Sequence, residues 1–118
     1  MNNIQISKNF KLKEFQCGDG GYQVRLDSQV LKKLQELREQ TGRPVLINSG
    51  YRTPSYNQQV GGSPRSQHLL GKAADIMVPG MELESLARVA EGIGFGGIGI
   101  YRTFIHVDVR SEKVRWKG

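Results

Sequence analysis

The stretch from Gly97 to Arg110 constrains this chain more than any other. Gly97–Tyr101 and Phe104–Arg110 are two strand-like runs separated only by Arg102 and Thr103, and so short a break predicts a hairpin. Successive strand residues point to opposite faces, so Phe104, His106 and Asp108 share one side while Ile105, Val107 and Val109 share the other. The apolar set belongs against a core, and the polar pair then projects from a firmly anchored strand. Ala73–Val78 reads the same way, with Ala73, Asp75 and Met77 on one face and Ala74, Ile76 and Val78 on the other.

Helices account for much of the remaining apolar pattern. Asp27 or Ser28 can cap a helix whose Val30, Leu31, Leu34 and Leu37 form one stripe, and Gly42 before Pro44 ends it. A second amphipathic helix carries Leu83, Leu86, Ala87, Ala90 and Ile93 and stops at Gly94. Val45–Asn48 reads as a short buried strand, Ser55–Val60 as a short helix, and Gly61–Ser66 as an irregular loop leading into His68. Phe10, Leu12 and Phe15, closed by Cys17–Gly21, read as a lid or strap over the core. The expected order is helix, strand, helix, strand, helix, strand, strand: an α+β fold with a mainly antiparallel central sheet and flanking helices. A chain of 118 residues is expected to make one domain, 1–118, since two would each be too small to bury an adequate core.

Composition narrows the partners. Seventeen Lys and Arg against eleven Asp and Glu leave a net charge of +6, which favours anionic partners. The basic residues form no block, so an ordinary solvated surface is expected and specific nucleic-acid binding is not. The single cysteine, Cys17, rules out an intrachain disulfide and a multi-thiolate metal site. No segment is apolar enough for a membrane span and the opening residues do not read as a signal peptide, so synthesis in the cytoplasm and export by another route are expected. A monomer is expected.

There are only two histidines, each near an aspartate in a segment of strand or turn character. His68 can fold back from its loop towards Asp75, and Gly71, Ala73 and Ala74 leave space for close approach. Two imidazoles and a carboxylate are a recurrent zinc set, because three ligands fix the ion and leave the fourth position to a water that can attack an amide. Asp108, roughly 7 Å along the strand, is the candidate base. Arg52, from a Gly-Tyr-Arg turn, is the candidate group for a substrate carboxylate or developing oxyanion. Simpler roles fit the same spacing: His106 as a hydrogen-bonded structural residue, Asp108 paired with Arg110 or Arg115, and Arg52 on a surface carboxylate.

Ser66-Gln67-His68-Leu69-Leu70-Gly71-Lys72-Ala73-Ala74-Asp75 resembles the Ser-x-His-x-x-Gly-x-Ala-x-Asp signature of zinc D-Ala-D-Ala carboxypeptidase-like peptidases, the M15 group. Ser49-Gly50-Tyr51-Arg52 and His106-Val107-Asp108 resemble two further segments of that group, so the likeness runs from about Asn9 to Trp116. It implies the hedgehog/DD-peptidase fold and one zinc ion on His68, Asp75 and His106. It also implies a substrate or oxyanion role for Arg52 and a supporting hydrogen bond, on the substrate-binding side, from Ser66. The opening Phe-x-Leu-x-Glu-Phe is similar to short members carried by phages and prophages, which implies an endolysin-like protein. One departure stands out: Thr103 occupies the position, three before the third ligand, where many members have a carboxylate base, so Asp108 must serve or turnover is impaired. The function expected is hydrolysis of a peptide bond in peptidoglycan, by carboxypeptidase or endopeptidase action. The alternative is a non-catalytic, zinc-stabilised wall-binding or phage structural module.

Overall fold

The computed structural model describes residues 1–118. Helix α1 spans Ser28–Thr41, with the Asp27 carboxylate accepting from the Gln29 amide and Gly42 closing it at φ 64°. Helix α2 is Pro54–Gln59, capped by Thr53, and α3 is Leu83–Ile93, closed by Gly94. The strands are β1 Leu46–Ser49, β2 Ala73–Met77, β3 Gly97–Ile100, β4 Ile105–Asp108 and β5 Val114–Lys117.

These five strands form one sheet in the order β1-β2-β4-β3-β5. The first three pairings are antiparallel and β3–β5 is parallel. Strand β5 is the element the sequence pattern did not predict: Val114-Arg115-Trp116-Lys117 has one large apolar residue flanked by cations, which reads as surface until β3 supplies an edge. The expected hairpin is present as β3 and β4.

Helices α1 and α3 pack together, and α3 lies against β3 and β4. Val30, Leu34 and Leu37 of α1 and Leu86, Ala87 and Ala90 of α3 meet Ala74, Ile76, Ile98, Ile105 and Val107 of the sheet in one apolar cluster. The strap enters that cluster: Phe10 and Phe15 are fully buried, and the Phe15 carbonyl accepts from the Tyr51 amide. A Cβ at Gly50 would collide with the Phe15 backbone, so glycine is required where the strap crosses the turn after β1. With one sheet face sealed, the other is left for chemistry. No helix is long and apolar enough to cross a membrane.

Candidate metal centre

One transverse row of the sheet builds the site. The register pairs Ser49 with Asp75, Asp75 with His106, His106 with Gly99, and Gly99 with Trp116, so each strand contributes one residue to a line across the open face. Asp75 and His106 are cross-strand neighbours, close enough for their side chains to meet. His68 arrives from a single 3-10 turn, Gln67–Leu70, whose first backbone donors are capped by Ser66 Oγ accepting from the His68 amide at 3.2 Å. Gly71 closes the turn at φ 69° and lets the chain enter β2 directly.

The hydrogen bonds fix which nitrogen of each imidazole is free. His68 Nδ1 lies 2.7 Å from the Gly50 carbonyl, which can only accept, so Nδ1 carries the proton and Nε2 offers a lone pair. His106 Nε2 lies 2.7 Å from Asp108 Oδ2 and donates to it, leaving the Nδ1 lone pair. Both lone pairs point at Asp75 Oδ1, each from 3.1 Å. One donor atom from each of the three residues lies within 4.8 Å of the others, and all three residues are buried. Three lone pairs facing one another in a buried cluster repel unless a cation, a metal ion or a proton, sits among them, and two imidazoles with a carboxylate are a zinc-type set. The residues fit a metal ion.

The partners around this set are also built. Arg52 Nη2 holds Asp75 Oδ2 at 3.1 Å, which turns Oδ1 towards the imidazoles, while its Nε donates to Ser49 Oγ and its Nη1 to Asn57 Oδ1. Burial pulls the Asp75 pKa upward, but when protons instead of a metal ion lie on the imidazole nitrogens that face it, hydrogen bonds from His106 and then His68 outweigh burial and hold the carboxyl at about 2. Burial likewise opposes the charged form of His106, yet Asp108 and Asp75 together raise its pKa.

A model of the peptidase M15 family matches residues 8–108. The chain belongs to the peptidase M15 family. It is 32% identical over 104 residues to the probable peptidoglycan L,D-endopeptidase MepK of Haemophilus influenzae, covering 80% of this chain and 55% of that relative. It is 38% identical over 64 residues to the zinc D-Ala-D-Ala carboxypeptidase of Streptomyces albus G, covering 53% of this chain and 25% of the other. The peptidoglycan L,D-endopeptidase MepK of Escherichia coli is 32% identical over 75 residues, 58% of this chain and 41% of its own. This M15 chain thus spans about half the length, or less, of these curated relatives.

Asp108, the candidate base of the sequence, sits behind His106 and outside the cleft lining. It is fully buried, and it accepts from the Gly97 amide, the Arg110 amide, Arg110 Nε and Nη2, and His106 Nε2. A carboxylate has about four acceptor sites, so nothing is left to take a proton from water. Burial pulls its pKa up, but the bonds from His106 and Arg110 prevail and depress it well below the ordinary range, the opposite of what a base near neutral pH needs. The pairing with Arg110, the simpler sequence alternative, is what the fold uses. The contact with Asp108 Oδ2 sets which nitrogen of His106 carries the proton.

A cleft of about 460 Å³ opens beside the three donors. Gly61, Gly62, Ser63, Arg65, Ser66 and Gln67 line one part, and Tyr101, Phe104, Arg110 and Trp116 another; Arg52 also lines it. Thr103 lies exposed in the turn between β3 and β4. Trp116 sits with its ring 5.2 Å from His106 and its Nε1 donating to Tyr101 Oη at 2.8 Å. Neither Trp116 nor Arg110 stood out in the sequence as a site residue. The available signal was the alternation of Gly97 and Gly99: a Cβ at Gly97 would strike the Asp108 carboxylate, and one at Gly99 the Trp116 indole.

Proposed function

We propose that this chain is a zinc-dependent peptidase that hydrolyses a peptide bond in the stem peptide or cross-link of bacterial peptidoglycan. The observation that carries the proposal is the convergence of His68 Nε2, His106 Nδ1 and Asp75 Oδ1, with every competing proton already committed elsewhere. Membership of the M15 family and the peptidoglycan or D-Ala-D-Ala activities for which the relatives are named support the substrate. The longer match, over 80% of this chain, is to a probable endopeptidase, which favours an internal bond over a terminal one. The named relatives are bacterial proteins, so the likeness gives no support to the phage setting that the opening segment suggested. The architecture agrees with the hedgehog/DD-peptidase fold, and we assign it to residues 1–118 as one domain acting at the cell wall.

His68, Asp75 and His106 would hold one zinc ion, which supplies Lewis-acid polarisation of the scissile carbonyl and acidifies a water. The protein's own contribution is preorganisation. The Gly50 carbonyl and Asp108 present the two imidazole lone pairs, and Arg52 fixes the free oxygen of Asp75. Arg52 gives three of its five N–H groups to Ser49, Asn57 and Asp75, so two remain to stabilise negative charge developing on the substrate. Ser66 supports the site by capping the turn that carries His68, and its place in the cleft lining also lets it meet substrate. Tyr101, Phe104 and Trp116 provide a wall against which a peptide can lie.

A second reading has one observation in its favour. Asp75 is the only carboxylate in the cleft lining, and it belongs to the metal set, so no free acid is there to act as base. A zinc-stabilised module that binds wall without cutting it would fit that feature. Digestion of purified peptidoglycan by the zinc-loaded protein, with products identified by mass spectrometry, separates the two. We expect new amine termini from the wild type and none from His68→Ala or His106→Ala. Stoichiometric zinc and wall retention without release would establish the binding module instead.

A further inference from the structure

We infer that Arg110 is a specificity residue whose outer edge reads a carboxylate on the substrate, so that this site prefers a stem peptide with that carboxylate free over one with it amidated. The inference rests on the peptidase reading of the cleft and assigns to it a charge preference.

Three arginines line the cleft, Arg52, Arg65 and Arg110, and the one acidic residue beside them is committed to the metal set. The cleft is therefore cationic before any metal binds, which favours an anionic ligand. The three guanidinium groups are not equally free. Arg52 has three N–H groups committed inside the protein and its side chain is 15% exposed. Arg110 directs Nε and one N–H of Nη2 at Asp108, which leaves both protons of Nη1 and the second of Nη2 without a protein partner, and its side chain is 31% exposed. Arg65 is exposed and its guanidinium makes no hydrogen bond, so it adds charge without a fixed position.

Arg110 is also held in place. Its inner edge grips Asp108 at 2.9 Å and 2.7 Å, and its guanidinium carbon lies 5.3 Å from the centre of the Trp116 ring. A planar fork fixed by a carboxylate on one side and an indole beneath loses little freedom on binding, so its free N–H groups are preorganised for a second carboxylate. That second carboxylate cannot come from the protein, because the cleft has none to offer.

The test uses zinc-loaded full chain with a synthetic stem pentapeptide and its cross-linked dimer, each with a set of twins in which one carboxylate at a time is converted to carboxamide. Trp116 is the sole tryptophan and lies beside Arg110, so its fluorescence reports binding whether or not a bond is cut. Rates on the same peptides give kcat/KM. For the wild type, one amide twin should bind and react more weakly by roughly ten- to a hundredfold, the size of a charge-assisted hydrogen bond. In Arg110→Gln that ratio should fall to near one, and in Arg110→Lys, which keeps charge but not the fork, it should be intermediate. Because the readout is a ratio between two peptides, any loss of metal or stability common to both cancels. No amide penalty in the wild type overturns the inference, and so does a penalty that persists in Arg110→Gln, which would place the reader on zinc or Arg52. If the wild type neither binds nor cuts any peptide, the peptidase reading itself fails, an outcome distinct from peptides handled without preference.

Discussion

At the scale of single residues, the two aspartates near the histidines have opposite relations to the site. Asp75 faces the imidazole lone pairs, and Asp108 faces the back of one ring. Asp108→Asn should therefore weaken zinc binding about ten- to a hundredfold, the usual effect of losing such a partner. Excess zinc should restore most of the turnover. Chelator competition alongside turnover at saturating zinc checks this, and tight zinc with dead chemistry would return Asp108 to the role of base. The same groups set the acid response of the metal-free protein. Asp75 and Asp108 have folded pKa values below the unfolded ~3.9, so their contribution is present above that value and lost as pH falls towards about 2. His106 has the opposite sign: its contribution is present below the unfolded ~6.5 and is lost as pH rises through its raised folded value. Denaturant midpoints of the metal-free protein should thus peak between about pH 4 and 6.5. The alternation in Phe104–Arg110 was enough to place His106 and Asp108 on one face. It could not say that Arg110 would turn back onto Asp108, because a rotamer choice depends on Gly97 and Trp116 next door.

At the scale of elements, the glycines of β3 decide what the neighbouring strands may carry. Gly97 and Gly99 leave the volumes that the Asp108 carboxylate and the Trp116 ring fill. Gly97→Ala should displace Asp108 from its donors and destabilise the fold by about 1–3 kcal/mol, the cost of leaving buried polar groups unmatched. Gly92 near the end of α3 is the control, since a Cβ there meets nothing. Gly92→Ala should stabilise by about 0.5–1 kcal/mol through backbone entropy alone. Urea unfolding of both variants against wild type measures the contrast; equal effects would remove the packing argument. Helices α1 and α3 were legible to within a residue from their caps and stripes, since Asp27, Gly42 and Gly94 act locally. Strand β5 was not, because its stability comes from pairing with β3 and not from its own residues.

For the whole molecule, the sealed and open faces of one sheet divide stability from chemistry. The apolar cluster and both long helices occupy one side, and the row from Ser49 to Trp116 occupies the other. Zinc bound only by the folded state should stabilise the protein by about 2.7 kcal/mol at a free concentration one hundred times Kd. Chelation should then lower Tm by on the order of 10 °C in a chain of this size. A scan with and without chelator shows it, and an unchanged Tm would mean that the three donors do not hold the ion. What the sequence determined by itself was whatever depends on neighbours in the chain: the two capped helices, the hairpin, the alternation that turns Asp75 and His106 to a polar face, and the motif that names the family. The tertiary structure decided the rest. The register that sets Asp75 beside His106, the use of Asp108 as an orienting group, the capture of Asp75 by Arg52 and the arrival of Trp116 all join residues from different strands and loops. Such contacts are selected by shape and charge in the assembled sheet, and no local propensity encodes them.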